Sequence, residues 1–545
     1  MKGVILAAGK GTRLKPLTDK IPKPLVKING KPLILYSIDY LKRAGIKDIG
    51  IVVGYKKEQL KKYLGNGSKF GVRITYITQK KTLGIANAIK YTEKFIGNSS
   101  FVVILPDNLF SHSLKTMVSK HKKSGAEASV GVKEVDNPSQ LGVVELDQKG
   151  KVERLIEKPK NPPTNLAAVG IYLFSSNSVF NVIDNLKPSR RGEYEITDTL
   201  QKMVDLGMKV NPLKMEGWWK DTGNFIDLDV AEALVKGGTA LVTGGAGFLG
   251  SWLCEYLLND GMNVICLDNF SSGRAKNVKH LMKNPKFKFI KHDVTKPFDY
   301  PKKIDYIFHF ASRASPPDFY KYPIDIMLSN SIGTLNFLNL AVKKNARFLL
   351  ASTSEVYGDP KEHPQKETYW GNVNPIGVRS CYDESKRFAE ALVKSFEKEK
   401  NLDVRIVRIF NTYGPRMKKD DGRLTPNVIN QALKGKPLTI YGNGKQTRSF
   451  CYVTDLVKGI IKLMYSKNSG AVVNIGNPVE YSVLQTAKTI KRLTNSKSSF
   501  KYKPLPNDDP CKRRPDITKA KELLDWKPII GIEEGLKKTI EYYKG

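Results

Sequence analysis

Apolar residues in this chain gather into short unbroken runs, and two of these runs break into glycine. Met1 to Arg13 read MKGVILAAGKGTR, and Thr239 to Gly250 read TALVTGGAGFLG. A short apolar run ending in glycine is the pattern of a buried strand entering a tight turn. After the first run, helical spacing predicts a helix over Leu33–Arg43, ended by Gly45, and then a strand at Asp48–Val53. Strand and helix patterns continue through Arg73–Ile77 and Gly84–Phe95 to a buried strand at Phe101–Leu105. A last helix is expected over Phe225–Val235, with Lys236-Gly237-Gly238 before the strand Thr239–Thr243. The alternation then restarts. A helix is predicted over Phe248–Asn259, and strands over Asn263–Leu267, 305–310 and Arg347–Ala351. Repeated strand–helix alternation with two such openings predicts an α/β chain of two domains, 1–236 and 237–545.

Composition narrows the picture. At 545 residues, 40% hydrophobic and 26% charged, the chain is of a globular kind too long for one ordinary core. The formal charge of +37 splits into +16 over residues 1–236 and +21 over the remainder. It is spread out and mostly lysine, with no basic tail or nucleic-acid motif, so a lysine-rich surface is expected and nucleic-acid binding is not. Part of it can steer anionic substrates. Five scattered cysteines without a CxxC pair point to a reducing compartment, so a cytoplasmic location is expected. No stretch reaches the ~18 apolar residues of a membrane span. The six histidines show no ligand spacing.

The first glycine loop, Gly9-Lys10-Gly11-Thr12-Arg13, lacks the Walker pattern. Its glycines let backbone N–H groups approach phosphate, and Lys10 and Arg13 add charge. Lys23 stands between Pro22 and Pro24, a stiff segment that fixes where its ammonium points. Asp107, after the strand Phe101–Leu105, sits where ligands bind in open α/β sheets. A carboxylate there suits Mg²⁺, which takes one or two carboxylates plus phosphate oxygens.

Together LAAGKGTRL, PKPL and LPDN resemble the sugar-1-phosphate nucleotidyltransferases, especially the glucose-1-phosphate thymidylyl- and uridylyltransferases. LGVVELD, IEKP, AVGIYLF, RRGEYEITD and WWKDTGN extend the resemblance over nearly all of 1–236. It implies a Rossmann-like domain with a mixed sheet. It also implies that Gly9, Gly11 and Arg13 hold a triphosphate and that Lys23 contacts the reacting phosphates. Gln79 and Gly84 would face the base, and Asp107 and Asp221 would hold Mg²⁺. Gly142, Glu157, Lys158 and Gly170 would hold the sugar phosphate. The implied reaction is in-line attack of a sugar-1-phosphate on the α-phosphorus of UTP or dTTP, releasing pyrophosphate. Such catalysis is mostly positioning and charge neutralisation. Ala8 and LPDN depart from the common family forms and leave the choice of nucleotide open.

The second loop, Gly244-x-x-Gly247-x-x-Gly250, follows a strand and opens a helix. Asp268 ends the next strand, about 20 residues on, where a ribose-binding acid is expected. Pyrophosphate would sit at the helix N-terminus, against Gly244, Gly247, Phe248, Leu249 and Gly250. Asp268, with Asn269 beside it, favours NAD over NADP. Asp293 and Val294 would flank the adenine, and the strand 305–310 leads to Ala311. Tyr382 and Lys386 stand one helical turn apart on one face, so the ammonium can favour the phenolate.

A glycine loop followed by YxxxK resembles the extended short-chain dehydrogenase/reductases, a Rossmann family acting on nucleotide sugars. ASTSEVYGDP, HPQKETYWGNVNPIGVRSCYDESKR, RIFNTYGPRM, YGNGKQTRSFCYVTDL and DDPCKRRPDI look closely like the UDP-glucuronate decarboxylases, with Ser385 where that pattern usually has glycine. The resemblance implies a redox set of Thr353, Tyr382 and Lys386, with Ser354 and Glu355 acting on the sugar ring. Asn411 and Arg448 would hold the nucleotide sugar and Tyr441 would pack on the base. C4 oxidation of UDP-glucuronate, loss of CO₂ and re-reduction would give UDP-xylose. Rival pairings are a dTDP-glucose synthase with a dTDP-glucose 4,6-dehydratase, or a nucleotide-sugar 4-epimerase. The dehydratase motif reads Thr-Asp-Glu, whereas here Thr353-Ser354-Glu355 lacks the aspartate. The family also suggests homodimers through the helix carrying Tyr382.

Overall fold

The structure is a computed structural model that describes every residue except Asp136, Asn507, Cys511 and Gly545. The fifth cysteine, Cys511, therefore lies outside the described residues. The chain divides into two compact units, Met1–Lys236 and Gly237–Gly545. Among the described residues no helix is long and apolar enough to cross a membrane. The cysteines described (Cys254, Cys266, Cys381 and Cys451) are buried and unbridged.

The first unit is built on a nine-stranded mixed sheet. The strands Phe101–Ile104, Lys2–Ala7, Asp48–Val53 and Arg73–Thr78 lie side by side and parallel. Leu166–Phe174 runs antiparallel to Phe101–Ile104 and carries the sheet onward to Gly142–Leu146 and Val152–Glu157. The central strands are buried on both faces, as their unbroken apolar runs require. The helix Leu33–Arg43 buries Leu33, Ile34, Ile38 and Leu41, the i, i+1, i+5, i+8 stripe written in its sequence. The single helix expected over Gly84–Phe95 is instead two short ones, Ile85–Lys90 and Glu93–Ile96. The Thr92 hydroxyl donates to the Ile89 carbonyl at 2.7 Å, the local competition by which threonine interrupts a helix.

The second unit carries a seven-stranded, all-parallel sheet. Its order runs Phe287–Lys291, Asn263–Asp268, Thr239–Thr243, Tyr306–His309, Arg347–Thr353, Val404–Ile409, Ala471–Ile475. The first three strands in sequence lie on one side of the sheet, ending at Thr239–Thr243, and the later ones on the other. That is the doubly wound pattern whose crevice lies at the switch between the two directions. The helix Phe248–Asn259 follows the first strand, and Ser380–Lys400 packs on the strand Arg347–Thr353. The expected strand ending at Ala351 extends to Thr353, which brings a candidate residue onto the rigid sheet edge.

Candidate active sites

In the first unit the candidates are distributed along the edge where the parallel strands end. Gly11 is left-handed (φ 64°), and a Cβ there would stand 2.9 Å from Lys23 Cβ. Gly9 has open space around it. Lys23 Nζ meets Asp107 Oδ2 at 2.6 Å. The Asp107 carbonyl accepts from both the backbone N–H and the hydroxyl of Thr222, each at 2.9 Å. Asp221 enters from the short strand Trp219–Asp221, paired antiparallel with Asn108–Phe110 so that Asp221 faces Asn108. Gly223 lets Arg13 approach: a Cβ there would sit 3.0 Å from Arg13 Nη1 and 3.2 Å from Asp221 Oδ2. Burial, then the neighbouring Asp107, push the Asp221 carboxyl up to about 6. Its Oδ1 is buried with no hydrogen-bond partner. Two facing carboxylates, one with an orphaned oxygen, fit a small hard cation such as Mg²⁺.

The remaining candidates of this unit flank that centre. Gln79 is buried at the end of Arg73–Thr78 and donates to Asn87 Oδ1 at 2.9 Å. Gly84 lies against the backbone of Tyr194, whose carbonyl a Cβ would meet at 2.5 Å. Gly170 packs on Asn108 beside Asp107, and Gly142 packs on Thr197 and Glu157. Glu157 Oε2 accepts from Thr197 Oγ1 at 3.0 Å, and Lys158 Nζ lies 3.6 Å from Glu157 Oε1. Arg191, which the sequence reading did not single out, bridges Glu157 (3.4 Å) and Glu195 (3.2 Å). A cavity of about 1030 Å³ opens beside Glu157, Lys158, Arg191 and Glu195.

In the second unit a cavity of about 700 Å³ gathers nearly all the candidates. At one end the helix Phe248–Asn259 points its N-terminus into it, so Gly247, Phe248, Leu249 and Gly250 form the wall. Gly250 must be glycine, because a Cβ would lie 2.2 Å from the Gly244 carbonyl oxygen. Asp268, Asn269, Val294 and Ala311 also line the cavity. Asp268 accepts from the backbone N–H groups of Ala246 (3.0 Å) and Phe270 (2.7 Å). A bare helix N-terminus beside a strand-end aspartate fits a dinucleotide. Asp293 stands behind the wall; its carboxylate accepts from Asn269 Nδ2 at 3.1 Å and from Thr295.

At the other end stand Thr353, Ser354, Glu355, Tyr382 and Lys386. Tyr382 is hydrogen-bonded to the Thr353 hydroxyl and stacks on Phe319 with ring centroids 5.2 Å apart. Burial pushes the Tyr382 phenol up to about 12, and burial pulls the Lys386 ammonium down to about 7. Lys386 Nζ lies 5.9 Å from the Tyr382 ring centroid and donates to the Ala351 carbonyl at 2.9 Å. Ser385 points the other way, bonded to Asn330 Nδ2 at 2.9 Å. Asn411, Tyr441 and Arg448 complete the wall.

Two arginines absent from the sequence reading meet here. Arg513 Nη1 reaches Ser354 Oγ at 3.0 Å and Glu355 Oε1 at 3.1 Å, and its Nη2 donates to the Gly358 carbonyl at 2.7 Å. Arg379 pairs with the other oxygen of Glu355. Burial alone would raise Glu355, but Arg379 and then Arg513 hold it at about 2, a committed carboxylate. Arg513 arrives on the two-residue strand Lys512–Arg513, parallel to Thr447–Ser449 in the register Arg448↔Arg513. The motif DDPCKRRPDI contains it, but nothing local distinguishes one cation among three.

Comparison with known proteins agrees with this geometry. A family model described as nucleotidyl transferase matches residues 2–236, and one described as GDP-mannose 4,6 dehydratase matches residues 241–539. UDP-glucuronic acid decarboxylase 1 of Danio rerio is 52% identical over 303 residues, covering 56% of this chain and 72% of that protein. UDP-glucuronic acid decarboxylase 4 of Arabidopsis thaliana is 52% identical over 304 residues, covering 56% and 68%. Among solved structures, the UDP-glucose 4-epimerase of Thermotoga maritima is similar at 31% identity and TM-score 0.52, over 56% of this chain and 98% of that one. The UDP-glucuronic acid 4-epimerase of Bacillus cereus, in complex with UDP-glucuronic acid and NAD, is similar at 29% identity and TM-score 0.51, over 56% and 99%. The chain is therefore an enzyme that joins a nucleotidyl transferase to an NAD-dependent Rossmann unit, and through that second unit it belongs to the family of the UDP-glucuronic acid decarboxylases.

Proposed function

We propose that the second unit converts UDP-glucuronate to UDP-xylose and CO₂. The observation that carries the reading is Glu355 clamped between Arg379 and Arg513, with Ser354, beside the Thr353–Tyr382–Lys386 set. Tyr382, as phenolate, takes the proton of the C4 hydroxyl, and the Thr353 hydroxyl holds it in place. NAD would be held along Gly247, Gly250 and Asp268 and would supply a reversible hydride acceptor for C4, so the cycle would be redox-neutral. The resulting β-keto acid breaks its C5–C6 bond, CO₂ leaves, and the electron pair passes into the C4 carbonyl. Arg513 and Arg379 stabilise charge at this end of the cavity, and the enolate is then protonated at C5. Asn411, Tyr441 and Arg448 hold the nucleotide end, with Arg448 suited to diphosphate.

The first unit transfers a nucleotidyl group from UTP or dTTP to a sugar-1-phosphate. Gly9, Gly11 and Arg13 hold the triphosphate, and Lys23 neutralises the reacting phosphates. Asp107 and Asp221 would hold Mg²⁺, which would supply charge neutralisation for the reacting phosphates. Gln79 and Gly84 contact the base, and Gly142, Glu157, Lys158 and Gly170 the sugar phosphate. A homodimer through the Tyr382 helix is supported by the exposed Ile324, Met327 and Phe388.

Two assays test these assignments. CO₂ release from UDP-glucuronate is expected; conversion of dTDP-glucose to a 4-keto-6-deoxy sugar without it would overturn the decarboxylase reading. Pyrophosphate release is to be measured across several sugar-1-phosphates with UTP and dTTP, and silence with every UTP pair would leave dTTP as the first unit's nucleotide.

A further inference from the structure

The strand that delivers Arg513 is two residues long, and its ladder stops at that residue. Strand ends fray when nothing replaces the ladder, yet Arg513 is buried and its guanidinium makes bonds to Ser354, Glu355 and the Gly358 carbonyl. Side chains take over where the ladder ends. The peptide group joining Arg513 to Arg514 is held on both sides. Ser449 Oγ donates to the Arg513 carbonyl at 2.8 Å, and Gln365 Oε1 accepts from the Arg514 N–H at 2.8 Å. Gln365 also gives its own N–H to the Arg514 carbonyl (2.9 Å) and accepts the Asp516 N–H at its carbonyl (2.8 Å), in the parallel register Gln365↔Pro515. Gln365 is fully buried, and its amide is fixed in orientation. Nε2 donates to the Glu362 carbonyl (2.8 Å) and to His363 Nδ1 (3.3 Å), which leaves Oε1 for Arg514. His363 Nε2 then donates to Glu480 Oε2 (2.9 Å), and Glu480 Oε1 accepts from Thr447 Oγ1 (2.6 Å) on the strand that pairs with Lys512–Arg513. The chain of bonds closes on itself around Arg513.

We propose that Gln365 is a positioning residue that sets where the Arg513 guanidinium stands against Glu355 and the sugar. Gln365 is not among the residues that line the cavity, so it acts only through Arg513. Without its Oε1 the Arg514 N–H loses its acceptor, and a polar group left unpaired in the interior is costly. The peptide then turns to find another partner and carries the Arg513 backbone with it. A small turn there is enlarged at the far end of a long side chain, where the bonds to Ser354 and Glu355 are made. A displacement of about 1 Å at a group that stabilises developing charge costs on the order of 10²-fold in rate.

The inference rests on the proposed role of Arg513, and the experiment separates the two. CO₂ release from UDP-glucuronate is measured in the full-length enzyme with NAD bound, for Gln365→Leu, Arg513→Ala and the two together. Gln365→Leu lowers kcat by roughly ten- to hundred-fold, while KM stays within about two-fold because the nucleotide end of the cavity is untouched. In the enzyme already carrying Arg513→Ala, the same Gln365→Leu costs no more than about two-fold, since residues that act through one another are not additive. A purely structural glutamine would instead cost the same factor in both backgrounds. Should Gln365→Leu fail to fold or to retain NAD, Gln365→Asn, whose amide falls one methylene short of Arg514, is read by the same cycle. An equal cost with and without Arg513, a rise in KM at unchanged kcat, or no loss at all overturns the proposal. An Arg513→Ala enzyme that releases CO₂ as fast as the wild type overturns the reading beneath it.

Discussion

The two glycine loops share a sequence pattern and differ in what their glycines do. In the first, Gly11 is required by its left-handed backbone and by Lys23 beside it, but Gly9 has nothing within 4 Å of a would-be Cβ, so its bareness serves whatever binds there. In the second, a Cβ would lie 2.9 Å from Ala311 at Gly244, 2.5 Å from Cys266 Sγ at Gly245 and 2.2 Å from the Gly244 carbonyl at Gly250. These glycines are required by the packing of strand against helix before any ligand arrives. The surrounding charges differ as well. The first loop faces two carboxylates, Asp107 and Asp221, whose mutual repulsion asks for a cation. The second site has its key carboxylate, Glu355, already satisfied by two arginines. One site leaves a carboxylate oxygen of Asp221 without a partner, while the other has its key carboxylate held by two arginines.

The sharpest break between the two sites is Tyr382→Phe. It should lower decarboxylation by roughly 10²–10⁴-fold while leaving pyrophosphate release unchanged, as measured by the two assays in parallel. Arg513→Ala leaves Glu355 with one arginine and should cost decarboxylation roughly 10²–10³-fold, with NAD retention as the control. Gly250→Ala and Gly9→Ala test the loops directly. The first should lose NAD and melt several degrees lower, whereas the second should change stability by no more than about 0.5 kcal/mol and act only on nucleotide binding. Equal effects would erase the contrast between the loops.

The smallest effect concerns Asp221. Its folded pKa, about 6, lies above the ordinary 3.8. Between those values the folded state holds a proton that the unfolded state has released, so stability falls as pH rises through that window. Asp221→Asn should therefore raise the melting temperature of the metal-free protein at neutral pH and have no such effect below pH about 4, while abolishing nucleotidyl transfer.

Much of both folds was legible because strand ends announce themselves. Apolar runs located Lys2–Ala7, Asp48–Val53 and Thr239–Thr243, and the acid after Asn263–Leu267 stands at the cavity wall. Local competition was harder to see: Thr92 split a helix that periodicity joined, and Asp293 accepts from Asn269, which lines the cavity. Arg379 and Arg513 escaped for another reason. In a chain with 90 lysines and arginines, a cation is conspicuous only once the fold shows which carboxylate it meets.

The ladder that sets Arg448 beside Arg513 is only two residue pairs long, Thr447↔Lys512 and Arg448↔Arg513. Successive side chains of a strand point to opposite faces. The three consecutive cations Lys512, Arg513 and Arg514 therefore give no spare copies, because a slip of one position would deliver the wrong neighbour and turn it away from the cavity. A one-residue shift of the strand Lys512–Arg513 itself would keep its charge and silence its chemistry.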